Sequence, residues 1–175
     1  MDRASQSHRS VTSQMRELRN RDGTVAYQGE AAAVERDGAV VYELSGQGKL
    51  ETFGYQGGHD VFSGRFAANV RQGQATLIKR DAEGRVQLEF EGVFAEDMPE
   101  GQGQLTLVNH VDDLDVSAGS DHFGLKKQLA IEKMQRRVFR GQFKDGLMEG
   151  FGQLERENLF TYSGQWRRGR PHGHG

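Results

Sequence analysis

The fold of this chain is decided by residues 139–175, which read FRGQFKDGLMEGFGQLERENLFTYSGQWRRGRPHGHG. A set of aromatic and glycine positions in this stretch recurs after 23 residues. The matched pairs are Phe139/Tyr162, Gly141/Gly164, Phe143/Trp166, Gly146/Gly169, Gly150/Gly173 and Gly152/Gly175. Repetition at one spacing indicates an internal repeat, and a period of about 20–50 residues is typical of stacked arrays of small units.

The chemistry of one unit predicts a β-hairpin. Phe139, Gly141 and Phe143 alternate in sequence, so on a strand they share one face, with room beside the glycine for a neighbouring ring. Gly146 suits a turn position that needs a positive φ, and the glycine pair that follows begins the return strand. One hairpin cannot bury such a face, so neighbouring hairpins must stack to build a continuous core.

The pattern aromatic-x-Gly-x-aromatic-x-x-Gly-x-x-x-Gly-x-Gly resembles the MORN repeat, a β-hairpin motif that stacks into elongated sheets. The resemblance extends from about Tyr27 to Gly175, with substitutions such as Ala31 for an aromatic residue, Asn69 for the turn glycine and Ala75 for a glycine of the pair. It implies an all-β fold, an elongated antiparallel array of stacked hairpins. The predicted core of the repeats comprises Tyr27, Phe62, Phe66, Phe90, Phe94, Phe139, Phe143, Tyr162 and Trp166.

The chain divides into a tail and one array. Residues 1–13 are polar, rich in serine and arginine, and predicted to be a mobile N-terminal tail. Residues 14–175 form the repeat array, in which the register fails over residues 108–137. Two interpretations of this irregular segment stay open: a degenerate hairpin with an exposed acidic loop, or an inserted loop followed by a short helix over residues 125–137.

Both prolines fall at the same position of the repeat. Pro99 and Pro171 each precede the first glycine of a pair by two residues. Because proline has no N–H group, this common position predicts a loop that donates no hydrogen bond to the sheet.

Composition narrows the class of protein. The 175 residues include 24 glycines and no cysteine, which excludes disulfides and thiolate metal sites. No apolar run approaches about 18 residues and the N-terminus has no signal-like apolar segment, so we expect no membrane span, no secretion and a cytoplasmic location. Formal charge is +2 over residues 1–80, −10 over 81–125 and +6 over 126–175. This asymmetry bears on association with partners rather than on the fold.

The sequence contains no catalytic constellation, so we expect no enzyme activity, no cofactor and no metal. His172 and His174 could chelate a metal, but no third ligand is evident. The segment from Asp113 to Asp121 is similar to a calcium loop, yet Ala118 replaces the glycine of the sixth position and Gly124 replaces the glutamate of the twelfth.

Candidate partner-binding residues cluster near the end of the sequence. The 23-residue period places Lys144 and Arg167 at equivalent sites before a turn, so repetition predicts a basic row along one edge of the array. An acidic protein surface is the favoured partner, anionic lipid comes second, and nucleic acid is disfavoured because the aromatic residues belong to the core pattern. The candidates for protein or lipid binding are Arg136, Arg137, Arg140, Lys144, Trp166, Arg167, Arg168 and Arg170.

The function predicted from this pattern is that of a non-enzymatic scaffold. The resemblance implies a protein-interaction module of a larger assembly, with a cytoskeletal structure such as a flagellar axoneme as the expected setting. The alternative is a membrane-apposed adaptor that binds anionic phospholipid through its basic C-terminal region. The final hairpin, with Tyr162 and Trp166 on its face, is open, so we also expect a second copy or another protein to cover it near Trp166.

Overall fold

The computed structural model describes residues 12–54, 56–109, 135–157 and 159–175. These residues form one sheet of eleven strands, in which each strand pairs antiparallel with its neighbours in sequence. This confirms the predicted all-β array. The strands are β1 (Ser13–Arg19), β2 (Val25–Arg36), β3 (Ala39–Phe53), β4 (His59–Ala67), β5 (Val70–Arg80), β6 (Val86–Ala95), β7 (Met98–Asn109), β8 (Gln135–Lys144), β9 (Leu147–Arg156), β10 (Phe160–Arg167) and β11 (Arg170–His172).

Ten of the strands form five consecutive hairpins, β2–β3 to β10–β11, and β1 pairs with the first of them. The array continues directly from β7 to β8, since Asn109 pairs with Gln135. Residues 110–134 lie outside the described part of the chain, as do residues 1–11. The two interpretations of the irregular segment and the predicted tail therefore stay predictions.

A row of small residues crosses the sheet at right angles to the strands. Each strand from β2 to β10 contributes one residue, and successive members of the row are direct cross-strand partners. We call this the glycine row. Its members are Gly29, Gly48, Gly64, Ala75, Gly92, Gly103, Gly141, Gly152 and Gly164.

Aromatic rings lie over the glycine row on one face of the sheet, which we call the ring face. The first ring of each hairpin approaches the row from one side and the second ring from the other, so the rings meet edge to face at centroid distances of 5.0–5.5 Å. The rings thus form a continuous ladder. Its rings, in order across the sheet, are Tyr27, Phe66, Phe62, Phe94, Phe90, Phe143, Phe139, Trp166 and Tyr162.

The two glycines of each pair have different roles. The second glycine provides space: a Cβ on Gly152 would lie 2.3 Å from Cζ of Phe139, and a Cβ on Gly103 would lie 2.8 Å from Cζ of Phe90. The first glycine provides conformation, since Gly150 has a φ of 66° next to the point where the register of β8 and β9 shifts. A bulge of this kind requires the left-handed backbone that glycine adopts without strain.

Each hairpin turn docks on the return strand of the preceding hairpin. Asn69 Oδ1 accepts a hydrogen bond of 2.7 Å from the N–H of Leu44, and Asp97 Oδ1 accepts one of 3.0 Å from the N–H of Arg71. In the next hairpin the N–H of Gly146 donates to the carbonyl of Pro99 at 3.0 Å. These bonds lock neighbouring hairpins together along the turn edge of the sheet.

The structure at the turn edge shows that the prediction of loops at the two prolines was wrong. Pro99 lies within β7 and Pro171 within β11, not in loops. At the corresponding positions of other hairpins, the N–H of Leu44 and of Arg71 points to the next turn rather than to the strand partner. Proline is tolerated because the N–H of this position belongs to no ladder within its own hairpin.

We expect Gly141→Val to lower the stability of the protein. A Cβ on Gly141 would lie 2.6 Å from Cα of Gly152 and 2.7 Å from Cζ of Phe139, and neither neighbour has room to retreat. Overpacking of this kind typically costs about 1–3 kcal/mol. Thermal unfolding measures the effect. The matched control is Gly54→Val, where a Cβ would lie 3.6 Å from the nearest atom; an equal melting temperature for the two variants would contradict the assignment of the glycine row.

We expect Asp97→Asn to lower the melting temperature near neutral pH but not in acid. Burial raises the pKa of Asp97, but the hydrogen bonds and charge of Arg71 outweigh it, so the net pKa is lowered. A lowered folded-state pKa gives stability that is present above the unfolded value of about 3.9 and is lost as pH falls through the folded value. The gap between wild type and variant should therefore narrow as the pH falls from about 3.9 through the lower folded-state pKa.

The control for this titration is Glu96→Gln, which removes the neighbouring exposed carboxylate. A melting-temperature gap for Asp97→Asn that stays constant from pH 7 down to the acid range would mean that the charge of Asp97 contributes nothing through Arg71.

Candidate interaction surfaces

The structure distributes the predicted basic residues over three places. Arg137 lies on the ring face, because it alternates in phase with Phe139 along β8. Arg136 and Arg140 lie on the opposite face. The remaining four lie together at the turn edge of the last two hairpins, and we call them the basic corner: Lys144, Arg167, Arg168 and Arg170.

Three members of the basic corner, Lys144, Arg167 and Arg168, line a surface depression of about 530 Å³ between two turns. Lys144 and Arg167 end β8 and β10 at equivalent positions, as the 23-residue period predicts, about 9.6 Å apart across two strands. The lining residues are Lys144, Asp145, Leu147, Glu149, Arg167 and Arg168.

The charges of the basic corner are not balanced internally. Arg167 and Arg170 are direct cross-strand partners, and like charges in that arrangement repel each other. Glu149 accepts a hydrogen bond of 2.9 Å from the backbone N–H of Arg168, which fixes the turn. Within residues 12–54, 56–109, 135–157 and 159–175, no ion pair involves a member of the basic corner. The corner therefore presents several cations that an anionic partner would neutralise.

The structure corrects the prediction that Trp166 contacts a partner. Trp166 is only 3% exposed, its indole N–H donates to the carbonyl of Gly152 at 3.1 Å, and its ring contacts Phe139 and Tyr162. The ring is thus part of the core ladder and offers no surface. Covering of the last hairpin by a second copy stays a prediction.

A second candidate surface, which the sequence analysis missed, is a groove on the face opposite the rings. It is an open, shallow depression of about 670 Å³ that runs across β5 to β10 beneath the glycine row, with the backbone of the row as its floor. Alternation along a strand gives the signal that finds it, since residues flanking a row glycine must point to this face. The side chains of its walls are those of Gln74, Glu91, Gln102, Gln104, Arg140, Phe151, Gln153 and Ser163.

Neither surface has the composition of a catalytic or metal site. Among the described residues, no three histidine or acidic side chains converge as metal ligands. The calcium-like segment and His8, His110 and His122 lie outside the described part. His59 stacks on Phe53 at 4.4 Å and lies 3.5 Å from Glu51, a local contact at the end of β4. No helix that could span a membrane occurs where the structure is described.

Comparison with known proteins assigns the repeats. A family model of the MORN repeat matches residues 90–110, 139–158 and 162–175, which contain the hairpins β6–β7, β8–β9 and β10–β11. A search of curated proteins gives no match to the chain. MORN repeats are generally interaction modules for proteins or membranes and are typically not enzymes. The hairpins over residues 90–110, 139–158 and 162–175 are therefore MORN repeats.

Proposed function

We propose that this protein is a non-enzymatic scaffold that holds an acidic protein surface at its basic corner. The single observation that carries the proposal is the cluster of four cations at one turn edge, with Arg167 directly opposite Arg170. The fold brings these like charges together at a cost in stability. Their repulsion is reduced when an anionic group binds between them.

The architecture supports a scaffold role. The sheet covers its own core with its own rings. Exposed residues of the opposite face, such as Gln102 and Phe151, and the turn edge are left for contacts with other molecules. Stacking of hairpins in one direction produces a long surface, which suits a protein that holds partners at defined spacings. The resemblance to MORN repeats suggests a cytoskeletal assembly, such as that of a cilium or flagellum, on the cytoplasmic side as the setting.

We expect reversal of Lys144, Arg167 and Arg168 to glutamate to abolish capture of the partner without unfolding the protein. All three side chains are exposed, and attraction between the two surfaces becomes repulsion. The measurement is quantitative recovery of partners from an extract of the protein's own cells, with the melting temperature as a test of folding. Capture by the wild type should also weaken with salt, since the Debye length is about 8 Å at physiological ionic strength.

The matched control reverses Arg19, Arg21 and Arg36, three exposed arginines at the other end of the sheet. It changes net charge by the same amount and should leave capture intact. Equal recovery of partners by the two triple variants would reduce the basic corner to an ordinary solvated surface.

A second candidate function is binding to anionic membranes, and one observation favours it. Leu147, 46% exposed, lines the same depression as the basic side chains. An apolar side chain among cations is typical of surfaces that lie on anionic lipid. If this function is correct, the wild type floats with vesicles that contain phosphoinositides, the Lys144/Arg167/Arg168 reversal does not, and neutral vesicles bind neither. Absence of the wild type from the phosphoinositide fraction would exclude it.

A further inference from the structure

We propose that the groove on the face opposite the rings binds an uncharged, proline-rich segment in the polyproline II conformation. This site is separate from the basic corner and does not depend on the function proposed for it. It follows from the length, repeat spacing and hydrogen-bonding chemistry of the groove.

The groove has the dimensions of a site for a thin polymer. It crosses six strands, β5 to β10, which at about 4.8 Å per strand gives a length of about 24 Å. Its walls stand on residues that flank a row glycine on either side, such as Gln102 and Gln104 around Gly103.

The spacing of the walls matches one particular conformation. Gln74, Gln102 and Phe151 occupy the same position in three successive hairpins, between the two residues of the glycine pair. Equivalent positions are two strands apart, about 9.6 Å. A polyproline II helix advances about 9.3 Å per turn of three residues, so one turn fits one hairpin. In a β-extended peptide, side chains on one face repeat about every 6.6–6.8 Å, which does not match the spacing of Gln74, Gln102 and Phe151.

The polar groups of the groove complement a peptide whose backbone offers hydrogen-bond acceptors but few donors. Among the described residues, no hydrogen bond uses the side-chain amides of Gln74, Gln102 or Gln153, so each has two free N–H donors. Arg140 donates to Gln104 Oε1 at 2.8 Å and to Glu155 Oε2 at 3.3 Å and retains further donors. A proline-rich segment lacks most backbone N–H groups, and its carbonyls make no internal hydrogen bonds.

Charge and apolar contact point to the same ligand. Of the residues on the walls only Glu91 and Arg140 are charged, and they cancel, so the groove complements an uncharged segment rather than a nucleic acid or an acidic peptide. Phe151, 66% exposed, is the one aromatic ring among these walls. Exposed aromatic rings are the usual docking surface for proline rings in recognition of polyproline II segments.

The test uses the full chain and fluorescein-labelled octaproline, which spans about 25 Å at 3.1 Å per residue. Fluorescence anisotropy should show saturable binding with a Kd below about 1 mM. Phe151→Ala should weaken binding about tenfold, because it removes the aromatic anchor. Phe160→Ala, an equally simple truncation of an exposed ring outside the groove, should leave the Kd unchanged. Binding should depend little on salt and survive reversal of Lys144, Arg167 and Arg168, which separates this site from the basic corner.

Three results would overturn the proposal: no saturable binding of octaproline up to about 1 mM, an equal affinity for a labelled glycine-serine octapeptide, or an unchanged Kd in a folded Phe151→Ala variant. The melting temperature of each variant establishes that it is folded. An affinity for the glycine-serine peptide equal to that for octaproline would mean that the groove does not select the polyproline II conformation.

Discussion

The structure depends on one contact, that of the tip of an aromatic ring with a strand residue that has no side chain. Most sheets bury their apolar face against a second layer, but the described part of this chain forms a single layer. Phe90 and Phe94, on either side of Gly92, fold over the glycine row and meet at 5.3 Å, and each is 2% exposed or less. The glycines make this possible because a Cβ on Gly103 would lie 2.8 Å from Cζ of Phe90, within the space that the ring needs. Hydrophobic burial is therefore supplied within each hairpin and between neighbours, without a partner layer.

Because the core lies on the ring face, residues on the opposite face and at the turn edge can differ from one hairpin to the next. Glycine and aromatic residues carry the fold, whereas residues that flank them in sequence, such as Gln102 and Arg140, point to the opposite face and carry none of the core. The turn edge varies in the same way, from Asp97 in the acidic middle to Arg168 at the basic corner. A change in partner specificity thus requires substitutions only at positions that the ring ladder does not use.

The repeat pattern is sufficient to predict the hairpins, the core rings and the equivalence of Lys144 and Arg167, since each follows from spacing along one chain. It even accommodates Ala31, which is buried in place of a ring. The surfaces were harder to predict because they depend on which strands become neighbours. Adjacent residues such as Arg136 and Arg137 lie on opposite faces, so a basic run in the sequence is divided in the fold. The groove is built from six strands, and no local pattern shows that Gln74 and Ser163 line the same depression.

Hydrogen bonding at the turn edge explains why the turn residue varies between repeats. The backbone N–H groups of Leu44 and Arg71 face the turn of the next hairpin, where each finds a side-chain acceptor. The Asp97 side chain provides an acceptor for the N–H of Arg71. Pro99 has no N–H, and the turn residue that faces it, Gly146, has no side chain to accept a hydrogen bond. In these hairpins the turn residue is therefore matched to the preceding hairpin rather than to its own. Because of this coupling between neighbours, hairpins that look interchangeable in sequence are not interchangeable in position.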